Sequence, residues 1–248
     1  MAKERNPGET LEVRTPRGAL RFPKLVEPDL GTEKFPKKNP EYNTGLVLKR
    51  TDPGVEKFLA KIDELMEESR ELAEEKYAEL PLKARKKLEA DGGIRADLPY
   101  EEVYDEQTEE PTGEIIIKAK TVASGVSKKT GKPWKKNLDM FDARGKPIAR
   151  SVVTKLRIWG GTVAKLNIGL QPYFIEAQGK YGLSRYLNAV QIIELVDGGT
   201  RSASQYGFEE EEEGFDANGF SVEDDDATDE GFENETDGDD DDADMGNF

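Results

Sequence analysis

The chain has no cysteine and no histidine among its 248 residues. The first absence excludes a disulfide framework. Together they exclude zinc fingers, Cys/His catalysis and a Ser-His-Asp triad. Long apolar runs are also missing. None approaches the ~18 residues that a membrane helix needs, and no charged-then-apolar leader opens the chain. These absences predict a soluble protein kept in a reducing cytoplasm, with no membrane partner. Basic residues are missing altogether from one end. Residues 207–248 hold 20 Asp and Glu and neither Lys nor Arg. The formal charge of −16 therefore hides an uneven distribution. Residues 52–114 hold 9 basic and 20 acidic side chains, whereas residues 115–206 hold 16 basic and 5 acidic. Such asymmetry points to a polyanionic partner or an interaction tail.

The acidic end reads FEEEEEGFDANGF from Phe208, then DDD, then GDDDDADMGNF. A segment of this composition buries too little apolar surface to offset the entropy of ordering it, so disorder is expected over 207–248. The boundary falls in the Gly/Ser-rich stretch Gly198–Gly207. Phenylalanines recur at Phe208, Phe215, Phe220 and Phe232, and the last residue is Phe248. An aromatic after a run of aspartates adds nothing to solubility. Asp239, Asp240, Asp241, Asp242, Asp244 and Phe248 read instead as a docking point for a protein partner. A calcium loop is excluded. With Asp237 at its first position, Asp242 stands where Gly is required and Phe248 where the bidentate Glu belongs. No metal or cofactor is expected.

The remaining body, residues 1–206, is the size of one domain. Leu20–Val26 and Tyr42–Lys49 read as strands around a loop rich in Pro, Gly and Lys near Gly31–Pro40. Pro23 should confine the first to an edge or a bulge. A long helix is expected over about 53–80, with Asp52 as cap and Pro53 at the first helical position. Its apolar residues recur every 3.6 positions from Val55 to Leu80, a stripe that should pack on a sheet. A weaker helix spans Leu82–Ala90, and an acidic linker runs over about 97–113. Beyond it the chain turns β-rich. Glu114–Ser124 and Trp134–Asp142 read as a hairpin with a basic tip, GVSKKTGKP. That tip is no phosphate loop, because its glycines are one residue too far apart and Pro133 stands where Ser/Thr should be. Ser151–Ile158, Thr162–Gln178 (broken by Gly169 and Pro172) and Arg185–Val196 complete the strands. The pattern predicts a mostly β protein, a small antiparallel barrel with one long packed helix.

Catalysis finds little support. The β-rich part holds only Asp139, Asp142, Glu176, Glu194 and Asp197 as carboxylates. Asp139 and Asp142 are three apart on an expected strand, so they should face opposite ways. No enzyme is expected. Nucleic-acid binding has positive support, because the basic block interleaves cations with aromatics. Cations track a phosphate backbone, and aromatic faces stack on unpaired bases whatever the sequence. The candidates are Lys118, Lys120, Lys128, Lys129, Lys132, Trp134, Lys135, Lys136, Tyr173, Phe174, Lys180, Tyr181, Arg185 and Tyr186. Adjacent Tyr173 and Phe174 must split between inside and outside. The competing reading is an acidic DNA mimic or chaperone-like interaction protein that binds no DNA. The basic block counts against it, since a mimic has no use for a cationic hairpin. A nuclease or recombination enzyme ranks third.

Four stretches carry a resemblance: LRFPKLVEPD, IIIKAKTVASGVSKKTGKPWKKNLDMFDARGKPI, IWGGTVAKLNIGLQPYFIEAQGKYGLSRYLNAVQIIEL and the terminal GDDDDADMGNF. Together they resemble the replication single-stranded DNA-binding proteins of podovirus-type tailed phages. The resemblance implies an OB-fold with a helix packed on the barrel and a homodimeric habit. It also implies sequence-independent binding of single strands, their protection and annealing in replication and recombination, and a location in the infected host cell. The tail would then recruit the replication DNA polymerase and helicase-primase.

Overall fold

The computed structural model describes residues 6 and 8–196. The acidic segment 207–248, with residues 239–242, Asp244 and Phe248, lies outside the described residues, as does the expected boundary stretch 198–207. The elements run β1 (Leu11–Arg14), β2 (Gly18–Gly31), β3 (Pro36–Lys49), α1 (Val55–Glu79), α2 (Leu82–Ala90), β4 (Arg95–Asp97) and β5 (Glu101–Tyr104). They continue β6 (Pro111–Val122), β7 (Ser124–Val126), β8 (Pro133–Lys135), β9 (Asp139–Phe141), α3 (Arg150–Val153), β10 (Val163–Ile175) and β11 (Lys180–Glu194).

Five strands close on themselves. β10 pairs β2, β2 pairs β3, β3 pairs β6, β6 meets β11, and β11 returns to β10. All these ladders are antiparallel except the seam between β6 and β11, which is parallel. The mostly β, OB-fold-like barrel expected from the sequence is therefore present. Alternation along the strands explains its interior. On β3, Tyr42, Thr44, Leu46 and Leu48 point inward, while on β6 buried Ile117 and Ala119 alternate with exposed Lys118 and Lys120. Leu166, Ile168 and Leu170 of β10 and Leu183, Leu187 and Val190 of β11 fill the other side. Helix α1 packs on β10 and β11, burying Val55, Phe58, Ile62, Leu65, Ser69 and Ala73. That stripe was legible as apolar spacing, except for Ser69. The Ser69 hydroxyl lies 3.1 Å from the carbonyl oxygen of Tyr173 and 2.9 Å from that of Gly182, and shares its proton between them. The helix is thereby tied to the outer end of the β10–β11 hairpin.

Several local expectations are corrected. Helix α1 starts at Val55, and neither Asp52 nor Pro53 belongs to it. The chain leaves β3 through a turn in which Asp52 N–H donates to the Lys49 carbonyl and Val55 N–H to that of Asp52. Gly54 completes it at φ +84°, a conformation only glycine adopts cheaply. The acidic linker contains the end of β4, all of β5 and the start of β6, and β5 pairs antiparallel with β6. Trp134–Asp142 is two strands. β8 pairs β7, whereas β9 runs parallel to β11, and the chain between them leaves the ladder. Asp139 lies on β9 and Asp142 in the following turn, so strand alternation does not relate them. Ser151–Ile158 is no strand. Residues Arg150–Val153 make one helical turn, in which Val153 and Thr154 donate to the Ala149 and Arg150 carbonyls. Strand β10 runs unbroken through Gly169 and Pro172. β1 starts opposite Leu170, so Pro172 lies beyond that ladder, where β10 has a strand on one side only and no outward N–H is needed. The reading of Pro23 holds. From Arg21 to Lys24, β2 advances three residues while β3 advances two, from Gly45 to Asn43, which is a bulge.

Candidate nucleic-acid interface

Asn43, Gly45 and Glu41 of β3 and Lys118 and Lys120 of β6 floor an open groove of about 890 Å³. Asn43 and Gly45 lie opposite Lys120 and Lys118 in the β3–β6 ladder. Arg21 and Phe22 form one wall from β2, and Tyr173, Ser184, Arg185 and Tyr186 form the other from β10 and β11. The groove thus brings together Lys118, Lys120, Tyr173, Arg185 and Tyr186 of the sequence candidates. It adds Arg21, Phe22 and Lys37, which sequence reasoning missed.

Its aromatics are held in different ways. Phe22 occupies the bulge at φ +49°, a left-handed conformation that costs a bulky residue roughly 1–3 kcal/mol. The strain turns the ring outward, where it is 77% exposed, with the Arg21 guanidinium 5.4 Å from its centroid. Tyr173 lies across the ladder from Gly182, and a Cβ there would come within 2.9 Å of the phenol oxygen. The phenol O–H donates to Asp97 at 2.6 Å. Burial and that carboxylate push the Tyr173 hydroxyl up to about 12, so it stays a neutral donor. Tyr186 is open to solvent beside both.

Its lysines are restrained by carboxylates. Lys118 pairs with Glu101 at 2.6 Å, and Lys120 reaches Glu41 at 3.1 Å. Lys37 joins Glu41 and also Asp29, the latter at 2.8 Å. Burial pushes the Glu41 carboxyl up, but hydrogen bonds from Lys37 and Lys120 outweigh it and hold the group below its ordinary value. Asp29 is held down at about 2 by Lys37 first, then by the Gly31 N–H. The ammonium groups are thus preplaced along the floor on acceptors that a phosphate can replace.

Next to the groove, β6 continues into the β7–β8 hairpin. It is anchored by Ala123 N–H donating to the Pro40 carbonyl and Lys136 N–H to that of Ala123. Lys128, Lys129, Lys132, Lys135 and Lys136 are all exposed on it. Trp134 lies flat across the ladder on Gly125. A Cβ at Gly125 would come within 3.2–3.3 Å of three indole atoms, so glycine makes the bed for one ring face while the other stays open.

A family model described as "Single-stranded DNA-binding protein, Bacteriophage T7" matches residues 18–195. The chain belongs to this family. A member of the T7-type single-stranded DNA-binding family is a non-enzymatic binding protein. The fold agrees with that of the crystal structure of gp2.5, a single-stranded DNA-binding protein encoded by bacteriophage T7. The TM-score is 0.59 at 22% identity, over 84% of this chain and 99% of that one. The single-stranded DNA-binding protein from bacteriophage Enc34, in complex with ssDNA, aligns at a TM-score of 0.43 and 15% identity, over 77% of this chain and 93% of that one. No curated protein matches significantly by sequence.

Not every candidate lines the groove of this T7-type family member. Phe174 and Tyr181 are cross-strand partners on the ladder step next to Tyr173 and Gly182, so alternation turns them to the other face. Lys180 starts β11 opposite Arg95 of β4. The missed residues had faint signals. Arg21-Phe22-Pro23 reads as a strand start, and only the bulge aims Phe22 outward. Among the described residues no cluster of three or more Asp or Glu could hold a metal ion. No described helix is long and apolar enough to cross a membrane.

Proposed function

We propose that single-stranded DNA lies along the groove over β3, β6 and β11, independent of sequence. Lys118, Lys120, Lys37, Arg21 and Arg185 take its phosphates, and Phe22, Tyr173 and Tyr186 stack its bases. The β7–β8 hairpin extends the track with Trp134 and its lysines, while Phe174, Lys180 and Tyr181 support the β10–β11 end. The observation that carries this reading is the convergence of cations and aromatics from β2, β3, β6, β10 and β11 on one groove, on the barrel face OB-folds use for oligonucleotides. The bound strand is kept free of hairpins, protected and made available for annealing. The body of the protein forms one DNA-binding domain over residues 1–206, working as a homodimer in the cytoplasm of the infected host. The acidic tail, with residues 239–242, Asp244 and Phe248, recruits the replication polymerase and helicase-primase.

A titration of fluorescent oligo(dT), with duplex as control, tests the groove. Engaging about four to six phosphates gives a log–log salt slope of roughly −3 to −4. Tyr186→Ala weakens binding by about 1–3 kcal/mol at nearly unchanged slope. A slope near zero, or equal affinity for duplex, sinks the reading. Deleting 208–248 removes capture of the polymerase and helicase-primase while single-strand binding persists. Capture that survives the deletion refutes the tail's role.

A further inference from the structure

A second groove shares no residue with the first and meets it only in using other stretches of β10 and β11. It lies between β1, the start of α1, the turn after β9, and the β10–β11 ladder, and measures about 850 Å³. Its cations are Arg14, Lys57, Lys61 and Lys165, and its floor includes Val13, Phe58 and Phe141. No carboxylate lines it, whereas Asp29, Glu41 and Glu101 line the first groove. Lys61 meets Glu64 at 2.6 Å, but none of the ion pairs among the described residues involves Arg14, Lys57 or Lys165. Arg144 and Lys146 flank Gly145 at the rim.

This arrangement costs the fold something. Lys57 and Lys61 are an i,i+4 pair of like charge, which repels. Lys57 also stands in the first turn of α1, where the helix dipole disfavours a cation. Arg14 and Lys165 add two further positive charges from separate strands. Nothing in the packing requires them: Arg14, Lys57 and Lys165 are exposed. An anionic ligand relieves all of these repulsions at once. The positive charge comes from several chain segments along an open, partly aromatic trough. That shape suits an extended polyanion with flat apolar groups between its charges.

We propose that this groove holds a second segment of single-stranded DNA, so that one protein copy carries two strands, or two parts of one strand, at once. The inference rests on the first groove being the primary single-strand site. Phosphates lie on Arg14, Lys57 and Lys165, and a base packs against Phe141. Two strands held on one barrel are brought to high mutual concentration, the condition under which complementary partners meet.

The test is a bridging assay on the full chain. Protein is loaded on immobilised oligo(dT), and capture of labelled oligo(dT), which cannot pair with it, is measured. The expected result is that unaltered protein captures the second strand. K57E/K165E loses that capture at least tenfold, with first-strand affinity within about threefold and unchanged hydrodynamic size. Should the charge reversals unfold the chain, K57Q/K165Q gives the same pattern at smaller amplitude. Bridging that persists in both variants places the second strand on another copy and overturns the proposal. So does a fall in hydrodynamic size together with bridging, which would make this face an interface between copies. Saturation of the same cations by an oligo-aspartate peptide, without second-strand capture, would assign the groove to an acidic protein. If unaltered protein does not bind the first strand, the primary reading fails and this one with it. If it binds the first strand but never a second, only this one fails.

Discussion

Glu41→Gln should tighten DNA binding, although it removes a salt-bridging residue. Glu41 sits between Lys37 and Lys120 on the groove floor. A phosphate that reaches Lys120 must displace this carboxylate or lie close to it. At about 7 Å and an effective dielectric of roughly 40–80, the repulsion is about 0.6–1.2 kcal/mol, or about three- to eightfold in affinity. The salt dependence should change as well. In the unaltered protein a phosphate that takes Lys120 loses its condensed cation, but the displaced carboxylate takes one up, so the net release is small. With Gln no carboxylate is left to take one up, and the cation released from the strand adds about 0.7 to the magnitude of the salt slope. Lys37 keeps Asp29 as a partner, so the substitution frees one lysine and the steepening stays at about 0.7. The assay is a fluorescent oligo(dT) titration at several salt concentrations, with thermal unfolding to show that the variant is folded. A folded variant with unchanged low-salt affinity and slope would refute the reasoning, and with it the idea that DNA and Glu41 compete for the same ammonium groups.

Four further outcomes are expected. Phe22→Gly should weaken oligonucleotide binding by about 1–3 kcal/mol through lost stacking, while relief of the left-handed backbone leaves stability equal or better. Equal affinity would remove Phe22 from the site. Gly125→Val should displace the Trp134 ring from its bed and abolish its fluorescence quenching by DNA, with the rest of the groove intact; normal quenching counts against the platform. Ser69→Ala should cost about 1–2 kcal/mol in denaturant unfolding, because two buried carbonyls lose a donor. A loss below a few tenths would show that the contact ties nothing. Asp29 is held at about 2, below its ordinary 3.8, so its ion pair adds stability above about pH 4 that disappears as pH falls through 2. Asp29→Asn should be less stable than the unaltered protein at neutral pH, with the gap closing between about pH 4 and pH 2. A gap independent of pH over that range contradicts the assignment.

What could be read from the sequence was whatever depends on periodicity and on the sign of charge. The α1 stripe and the Lys118/Lys120 alternation on β6 follow from 3.6- and 2-residue periods, and both have their expected faces. Helix α2 also has the expected bounds. What was not legible depends on pairing between distant segments. Trp134 and Phe141 look like one strand until β8 is claimed by β7 and β9 by β11. Phe22 looks like a core residue until the bulge rotates it. Ser69 breaks an apolar stripe for no local reason, because its acceptors lie more than a hundred residues away. The carboxylates that moderate the groove come from the segment read as an acidic linker and from β2 and β3, so a count along the basic block alone overstated its free charge.

The parallel seam of the barrel has a mechanical consequence. Among the described residues, β6 and β11 meet at one ladder step, Lys120 with Tyr186, whereas the other barrel joints except β10–β2 run over many. The weak joint lies directly beneath the groove, and both of its residues line it. A strand whose phosphate sits on Lys120 and whose base rests on Tyr186 acts as a rivet across that joint. DNA occupancy should then be felt as stiffness: slower amide hydrogen exchange along β6 and β11, and a barrel that breathes when empty and is clamped when loaded.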